Sequence, residues 1–388
     1  MVSFTNTLLA LPLLATAASA ACNAKHTSSH RRHHSKQAAS SSSSSGNGAN
    51  VLAASQPAAT ASRSANNAFG GSSSTSSYKS SSSSSYKASS TASSTASASS
   101  STSTSSIGWG LTGMKKNQIA FGWLPDDGSG GGTSQTISEI VSAMGQQTSA
   151  QGWYAQAQSG TLFDGGQLTS RMDQIVTGGV FQPAVMPTGG WWGLTADDNQ
   201  QAVAICKVMK QFTDKGVEVW LRFAHEVNYY QEDGTYQGDA NDFKAGWAAV
   251  SAACKEYAPE VKMWYTPNVA SEDQYDEYYP DDPSTVDLIG IDYYPKETSG
   301  YDFVGTMKTF HDRYTSSDGP HFAIGEIGNG VTTTMSQRLA WLQDITSTAT
   351  KTAMPNFIAC SWFNYHKGYD FRIAAVDGDS VIKSYFAA

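Results

Sequence analysis

From Asn117 onward, short apolar runs alternate with stretches whose apolar residues recur every three or four positions. Residues 118–123 (QIAFGW) predict a first strand, and Ile137, Ile140, Val141 and Met144 follow at helical spacing. Residues 152–155 (GWYA) predict a second strand, with Leu168, Met172 and Ile175 as the helical stripe behind it. Residues 181–186 (FQPAVM) predict a third. Thr195, with Asp198 three positions on, reads as the cap of the next helix; Ile205, Val208 and Phe212 form its buried stripe and Gly216 its stop. The fourth strand, 217–224 (VEVWLRFA), precedes one continuous helix face of Phe243, Trp247, Val250, Cys254 and Tyr257. Residues 261–266 (VKMWYT) predict strand five. Residues 286–293 (VDLIGIDY) predict strand six, with the weak alternation of a strand buried on both faces. A helix on Phe303, Met307, Phe310 and Tyr314 leads to strand seven, 321–325 (HFAIG). A helix on Met335, Leu339, Leu342 and Ile345 leads to strand eight, 357–363 (FIACSWF).

Eight strands alternating with helices over about 280 residues predict an α/β fold, a (β/α)8 TIM barrel. An open doubly wound sheet is the alternative, but the GSGGG run at 128–132 lacks the spacing of a phosphate-binding loop.

The chain ahead of the barrel is different in kind. Residues 1–106 hold 7 of the 25 Lys and Arg and no Asp or Glu, which leaves 107–388 with 18 basic against 33 acidic residues, a net charge of −15. The expected organisation is therefore a signal peptide at 1–20, a disordered Ser-rich spacer at 21–106 and a barrel domain at 107–388. The apolar run Leu8 to Ala15 and the small-x-small site Ala18-Ser19-Ala20 carry the signal reading, although no Lys or Arg precedes the run. The Ser-rich stretch has too little apolar surface to offset chain entropy and suits an O-glycosylated stalk, with cell-wall association as one role. The run His30-Arg31-Arg32-His33-His34 reads first as a solvated basic patch and second as a processing site. An acidic domain argues against nucleic acid, which needs clustered Lys and Arg. No apolar run reaches the length of a membrane span.

The chemistry gathers at the predicted strand ends, where a barrel of this kind builds its site. These ends carry Trp123, Asp126 and Asp127; Trp191 and Trp192; His225, Glu226 and Asn228; Asn268; Asp292 and Tyr294; Glu326; and Trp362, Asn364, Tyr365 and His366. Two carboxylates on separate strands, ringed by aromatic and amide groups, suit a sugar polymer: rings stack on the C–H faces, polar groups take the hydroxyls, and hydrolysis needs two carboxyls.

These residues resemble a family. Arg222-Phe-Ala-His-Glu226-Val-Asn228 is similar to the strand-four signature of glycoside hydrolase family 26, and Trp264-Tyr-Thr-Pro-Asn268 to its strand-five pattern. The run from Tyr279 through Asp287 to Asp292-Tyr-Tyr294 resembles its strand-six region, and Ile324-Gly-Glu326-Ile-Gly328 its strand-seven motif. The resemblance implies a retaining β-glycanase, most often a β-mannanase, with β-1,3-xylanases and mixed-linkage glucanases as minorities. It implies Glu226 as acid/base, Glu326 as nucleophile, His225 holding the nucleophile or the sugar, Tyr294 bonding the nucleophile, and Trp362 as a stacking floor. Tyr229-Tyr230 and the polar loop 231–239 depart from the family pattern, which opens the question of the polymer.

Other assignments stay open on the residues alone. Asn228 and Asn268 read as site groups or loop turns, and Trp123 and Trp362 as core or subsite. Trp191 and Trp192 favour sugar contact over rim packing. Arg222 reads as an inward carboxylate partner. Cys206 and Cys254 fall on successive helices and form either a disulfide or free thiols, while Cys360 reads as a buried thiol. No Cys/His spacing suggests zinc, so no metal and no cofactor is expected, and the expected state is a monomer. A non-catalytic carbohydrate-binding or cell-wall protein on the same scaffold is the rival reading.

Overall fold

The computed structural model describes Trp109, residues 111–316 and residues 319–388. The expected signal segment, the spacer and the His30 to His34 run lie outside the described residues.

Eight parallel strands form the barrel. They are β1 (Ile119–Pro125), β2 (Ala150–Gln151 and Tyr154–Gln156), β3 (Val180–Phe181 and Ala184–Met186), β4 (Trp220–Phe223), β5 (Lys262–Tyr265), β6 (Leu288–Ile289), β7 (His321–Ile327) and β8 (Phe357–Asn364). Each strand pairs in parallel with the next, and β8 returns to β1, so the ring closes. The α/β barrel expected from the periodicity is the observed architecture. β2 and β3 are each interrupted once. Pro183, which has no N–H to give the ladder, marks the break in β3, and its carbonyl still accepts from Arg222 N at 2.9 Å. A short antiparallel strand, Lys115–Lys116, enters β1 through a two-residue turn in which Asn117 and Gln118 both take positive φ.

Residues two apart along the strands stack in layers inside the barrel. The lowest layer takes Ala120, Ala150, Val180, Trp220, Trp264, Leu288 and Ala323, with Ile358 and Ala359 from β8. Two indoles fill the space that the alanines leave, and Trp109 packs edge-on against Trp220. The next layer is small and polar. A Cβ on Gly325 would collide with Arg222, and one on Gly122 with Ser361. Gly325 makes room for the guanidinium, and Gly122 for the Ser361 hydroxyl.

The helices form the outer shell: α1 (Ile137–Met144), α2 (Gly166–Thr169), α3 (Met172–Ile175), α4 (Gln200–Thr213), α5 (Val227–Glu232), α6 (Ala240–Tyr257), α7 (Glu272–Tyr278), α8 (Phe303–Tyr314), α9 (Met335–Ile345), α10 (Thr348–Ala353) and α11 (Ser380–Ala387). Capping boxes start α1 at Thr136, α6 at Asp239 and α9 at Thr334. Thr195 is not the cap of α4. That helix begins five residues later after Asn199, and Thr195 closes a local turn on Asp198. The buried stripe of α6, Phe243, Trp247, Val250 and Cys254, follows the sequence pattern.

Cys206 on α4 and Cys254 on α6 form a disulfide with Cα atoms 4.9 Å apart, and Cys360 is a buried free thiol. Replacing both bridge cysteines by alanine should cost about 2–4 kcal/mol of stability. Urea unfolding of the double variant checks this; an unchanged midpoint would show that the bridge adds nothing to the shell.

Candidate active site

The end of β4 is bent by its own backbone. Ala224 and Glu226 both adopt left-handed φ, 51° and 50°, on either side of His225. Such geometry costs a non-glycine residue about 1–3 kcal/mol. Two bonds hold it in place: Ala224 N donates to Val185 O at 2.9 Å and Glu226 N to Thr266 O at 2.7 Å. The chain then starts α5 at once, which sets Glu226 at the barrel mouth rather than in the ladder.

Glu226 is 7% exposed, and its Oε1 accepts from Asn268 Nδ2 at 2.6 Å. Burial pushes its carboxyl up to about 8; the charge of Glu326 adds to the effect and the Asn268 bond opposes it. Asn228 does not reach the carboxyl. Its amide exchanges two bonds with the Asn268 backbone, Nδ2 to O at 3.0 Å and N to Oδ1 at 2.9 Å, and so locks the β5 loop that presents Asn268.

Glu326, on β7, is 8% exposed and faces donors. Tyr294 donates to Oε1 at 2.6 Å and Tyr154 donates to Oε2. Arg222 Nη1 lies 3.6 Å from Oε2, while Nη2 of the same guanidinium pairs with Asp292. Burial, and then the Glu326 charge, raise both phenols well above their ordinary value, so both remain donors. Burial works against the Arg222 charge, but Asp292 and Glu326 outweigh it and keep the guanidinium charged. Burial also pushes Asp292 up, with Arg222 opposing. A Cβ on Gly328 would come within 3.0 Å of the Tyr294 ring, which explains a glycine just past the carboxylate.

His225 is buried between the Tyr154 and Tyr230 rings, each centroid 5.4 Å away, and its Nδ1 has no partner among the described residues. Burial holds it well below the ordinary imidazole value, so it is neutral.

The tryptophans sit elsewhere. Trp123 is 1% exposed and packs on Phe121 in the core shared with the helices. Trp362 is fully buried in the same core, with its indole N–H bonded to Phe371 O at 2.7 Å. Neither offers a face to a ligand. Beside them Phe363 and Tyr365 stack at 4.2 Å, and Tyr154 and Tyr294 stand edge-on to Phe363. The residue adjacent to Trp362 faces the mouth because side chains alternate along a strand. Trp191 packs against Phe223, Tyr236 and Phe243 and fills the space over Gly246; Trp192 is half-buried on the same loop. Asn364 ties the β8 loop together, accepting from Ile373 N and Ala374 N and donating to Gln135. Asp126 does the same between the first and last loops, taking Gly128 N and His366 N. Tyr154 is the site residue that the sequence pattern misses: GWYA reads as a weak strand, and a donor at its end has no motif around it. Among the described residues, no group of three His, Cys, Asp or Glu is arranged to hold a metal ion.

The sequence matches no family model and no curated protein. Solved structures are similar at low identity. A Bacillus subtilis mannanase is 15% identical over 69% of this chain and 85% of that one, with a TM-score of 0.47. A modular endo-β-1,4-mannanase from Cellulomonas fimi, whose description names glycoside hydrolase family 26, is 16% identical over 70% of each chain, with a TM-score of 0.49. The catalytic domain of a family 26 endo-β-1,4-mannanase from a Bacillus species is 18% identical over 64% of this chain and 77% of that one, with a TM-score of 0.45.

The two carboxyls are coupled, and the coupling has a sign. Replacing Glu326 by Gln removes a charge that raises Glu226, so Glu226 should titrate below its native value of about 8. Replacing Asn268 by Ala removes the bond that opposes the shift, so Glu226 should titrate higher. Carboxyl NMR titration of the two variants reads both directions; a common direction would contradict the assignment.

Proposed function

We propose that the chain is a secreted, retaining endo-β-glycanase of the family 26 type that hydrolyses a β-linked polysaccharide, β-mannan first among candidates. The observation that carries the reading is the contrast between its two carboxyls. Glu226 is held as an acid near neutral pH, whereas Glu326 accepts from two phenols and faces a guanidinium. Unequal surroundings of this kind divide the roles of acid and nucleophile.

In the first step the Glu326 carboxylate attacks the anomeric carbon while Glu226 gives its proton to the departing glycosidic oxygen, and the C–O bond breaks. A glycosyl ester on Glu326 results. In the second step Glu226, now a carboxylate, takes a proton from water; the water oxygen bonds to the anomeric carbon and Glu326 leaves. Tyr154 and Tyr294 keep the nucleophile oriented, and neutral His225 packs beside Tyr154. Export is supported by the N-terminal sequence and by a disulfide, which persists in oxidising compartments. A binding protein on this scaffold would have no use for a carboxyl held protonated beside a second one held by donors.

The products of mannan, glucomannan, β-1,3-xylan and mixed-linkage glucan, followed by NMR, test the reading. One polymer should yield new reducing ends of retained configuration, and Glu326→Ala should lose at least about 10³-fold in kcat. Activity should fall as the pH rises through about 8, because Glu226 must be protonated to act first. Products of inverted configuration would remove Glu326 from the nucleophile role.

A further inference from the structure

Glu326 has two carboxylate oxygens, and in the hydrolase reading only one of them bonds to the anomeric carbon. The structure surrounds the two unequally. Oε1 accepts from one neutral donor, Tyr294, at 2.6 Å. Oε2 accepts from Tyr154 and also faces Arg222 Nη1 at 3.6 Å. Arg222 is fully buried, and its Nη1 has no hydrogen-bond partner among the described residues, so Oε2 is an acceptor that this part of its charge faces. The Tyr154 ring is packed for the purpose: it is edge-on to Phe363 and Tyr365, at 6.4 and 6.3 Å, and tilted on His225 at 5.4 Å. Burial, and then the Glu326 charge, keep the proton on its hydroxyl.

Esterification changes the two oxygens differently. The oxygen that attacks spends a lone pair on the new C–O bond, gives up its share of the negative charge and becomes a poor acceptor. The other becomes the ester carbonyl and goes on accepting. If Oε2 attacked, the Tyr154 hydroxyl would lose its acceptor and a buried guanidinium nitrogen would face an oxygen stripped of charge. If Oε1 attacks, the loss is confined to one neutral donor, Tyr294, and the charged group keeps what it faces.

We infer that Tyr154 is a positioning residue that, together with Arg222, fixes Oε2 of Glu326 as the carbonyl oxygen of the glycosyl ester and leaves Oε1 to attack. The inference rests on the hydrolase reading above. In the first step Oε1 bonds to the anomeric carbon, the bond to the leaving oxygen breaks, and that oxygen takes the Glu226 proton. In the second, water gives a proton to Glu226, its oxygen bonds to the anomeric carbon, and the electron pair of the C–Oε1 bond returns to Oε1. Tyr154 keeps its bond to Oε2 through both steps, whereas Tyr294 releases Oε1 and then regains it.

The test uses the full chain with Tyr154→Phe and with Tyr294→Phe. The probes are the 2-deoxy-2-fluoro glycosyl fluorides of mannobiose, xylobiose and cellobiose, which form the ester and lose it slowly. Mass spectrometry identifies the one that labels the wild-type protein. Isotope-edited infrared spectra, on protein carrying carboxyl-13C glutamate, then read the ester carbonyl, whose stretch moves to higher wavenumber when a hydrogen bond to it is lost. Tyr154→Phe should raise it and Tyr294→Phe should leave it in place, a pattern that a merely structural role for Tyr154 would not produce. The reverse pattern, a shift in both variants or a shift in neither would overturn the inference while leaving the catalytic pair intact. If Tyr154→Phe forms no ester, 3-fluorotyrosine at position 154, a stronger donor, should lower the wavenumber, and an unchanged one overturns the inference. Wild-type protein that forms no ester with any probe would instead bring down the hydrolase reading and this inference with it.

Discussion

The guanidinium of Arg222, buried on the barrel axis, is the constraint around which the upper half of the structure is arranged. A buried cation is costly unless its partners are close and well placed. Here Asp292 from the end of β6 and Glu326 from β7 face two of its nitrogens, Thr266 from β5 lies 3.4 Å from a third, and the Trp264 ring lies below. Four strand ends are thereby fixed to one planar group. The layer pattern follows from it: glycine at 325 leaves room for the guanidinium, and the two indoles beneath close the barrel's lower end with apolar bulk. The lower layer is apolar bulk, and the upper layer gathers the polar groups.

Much of this was legible in the sequence because it depends on strong local patterns. The eight apolar runs, the α6 stripe, the His-Glu pair after strand four and the glycine-flanked Glu326 all mark their places without tertiary knowledge. What was not legible depends on phase and on distant partners. Trp362 and Phe363 are adjacent, and a run such as FIACSWF does not say which of them faces inward when both faces are buried. The pairing of Ala120 with Ala359 and of Trp123 with Trp362 settles the phase. Tyr154 escaped for a different reason: β2 is broken into two short pieces, and its hydroxyl gains meaning only beside Glu326, 172 residues away. The two asparagines looked alike as loop residues, yet one touches the acid and the other touches only backbone.

Those asparagines show how the acid is placed without being paired. Asn228 braces Asn268, and Asn268 bonds Glu226. A neutral amide can orient a carboxyl while supplying none of the positive charge that would draw its proton off. The strained turn at Ala224 and Glu226 serves the same end. It carries the carboxyl out of the β4 ladder, whose Arg222 already belongs to the axis, and into the mouth.

The proposed division of roles rests on proximity to a single charge. Asp292, Glu326 and Glu226 share one buried guanidinium, so the cluster cannot bear full ionisation of all three at modest pH. Asp292 and Glu326 face the guanidinium directly, whereas the side chain bonded to Glu226 is an amide and the Arg222 charge acts on it only as a minor cause. Burial and the neighbouring Glu326 therefore hold a proton on Glu226 up to about pH 8. In the proposed mechanism Glu326 is consumed in a glycosyl ester, so its negative charge goes and one cause of that shift goes with it. Glu226 then becomes a stronger acid, and a carboxylate more readily, at the stage where a base is required. In the proposed reaction the charge of Glu326 on Glu226 would thus give one residue the two protonation states that retention demands.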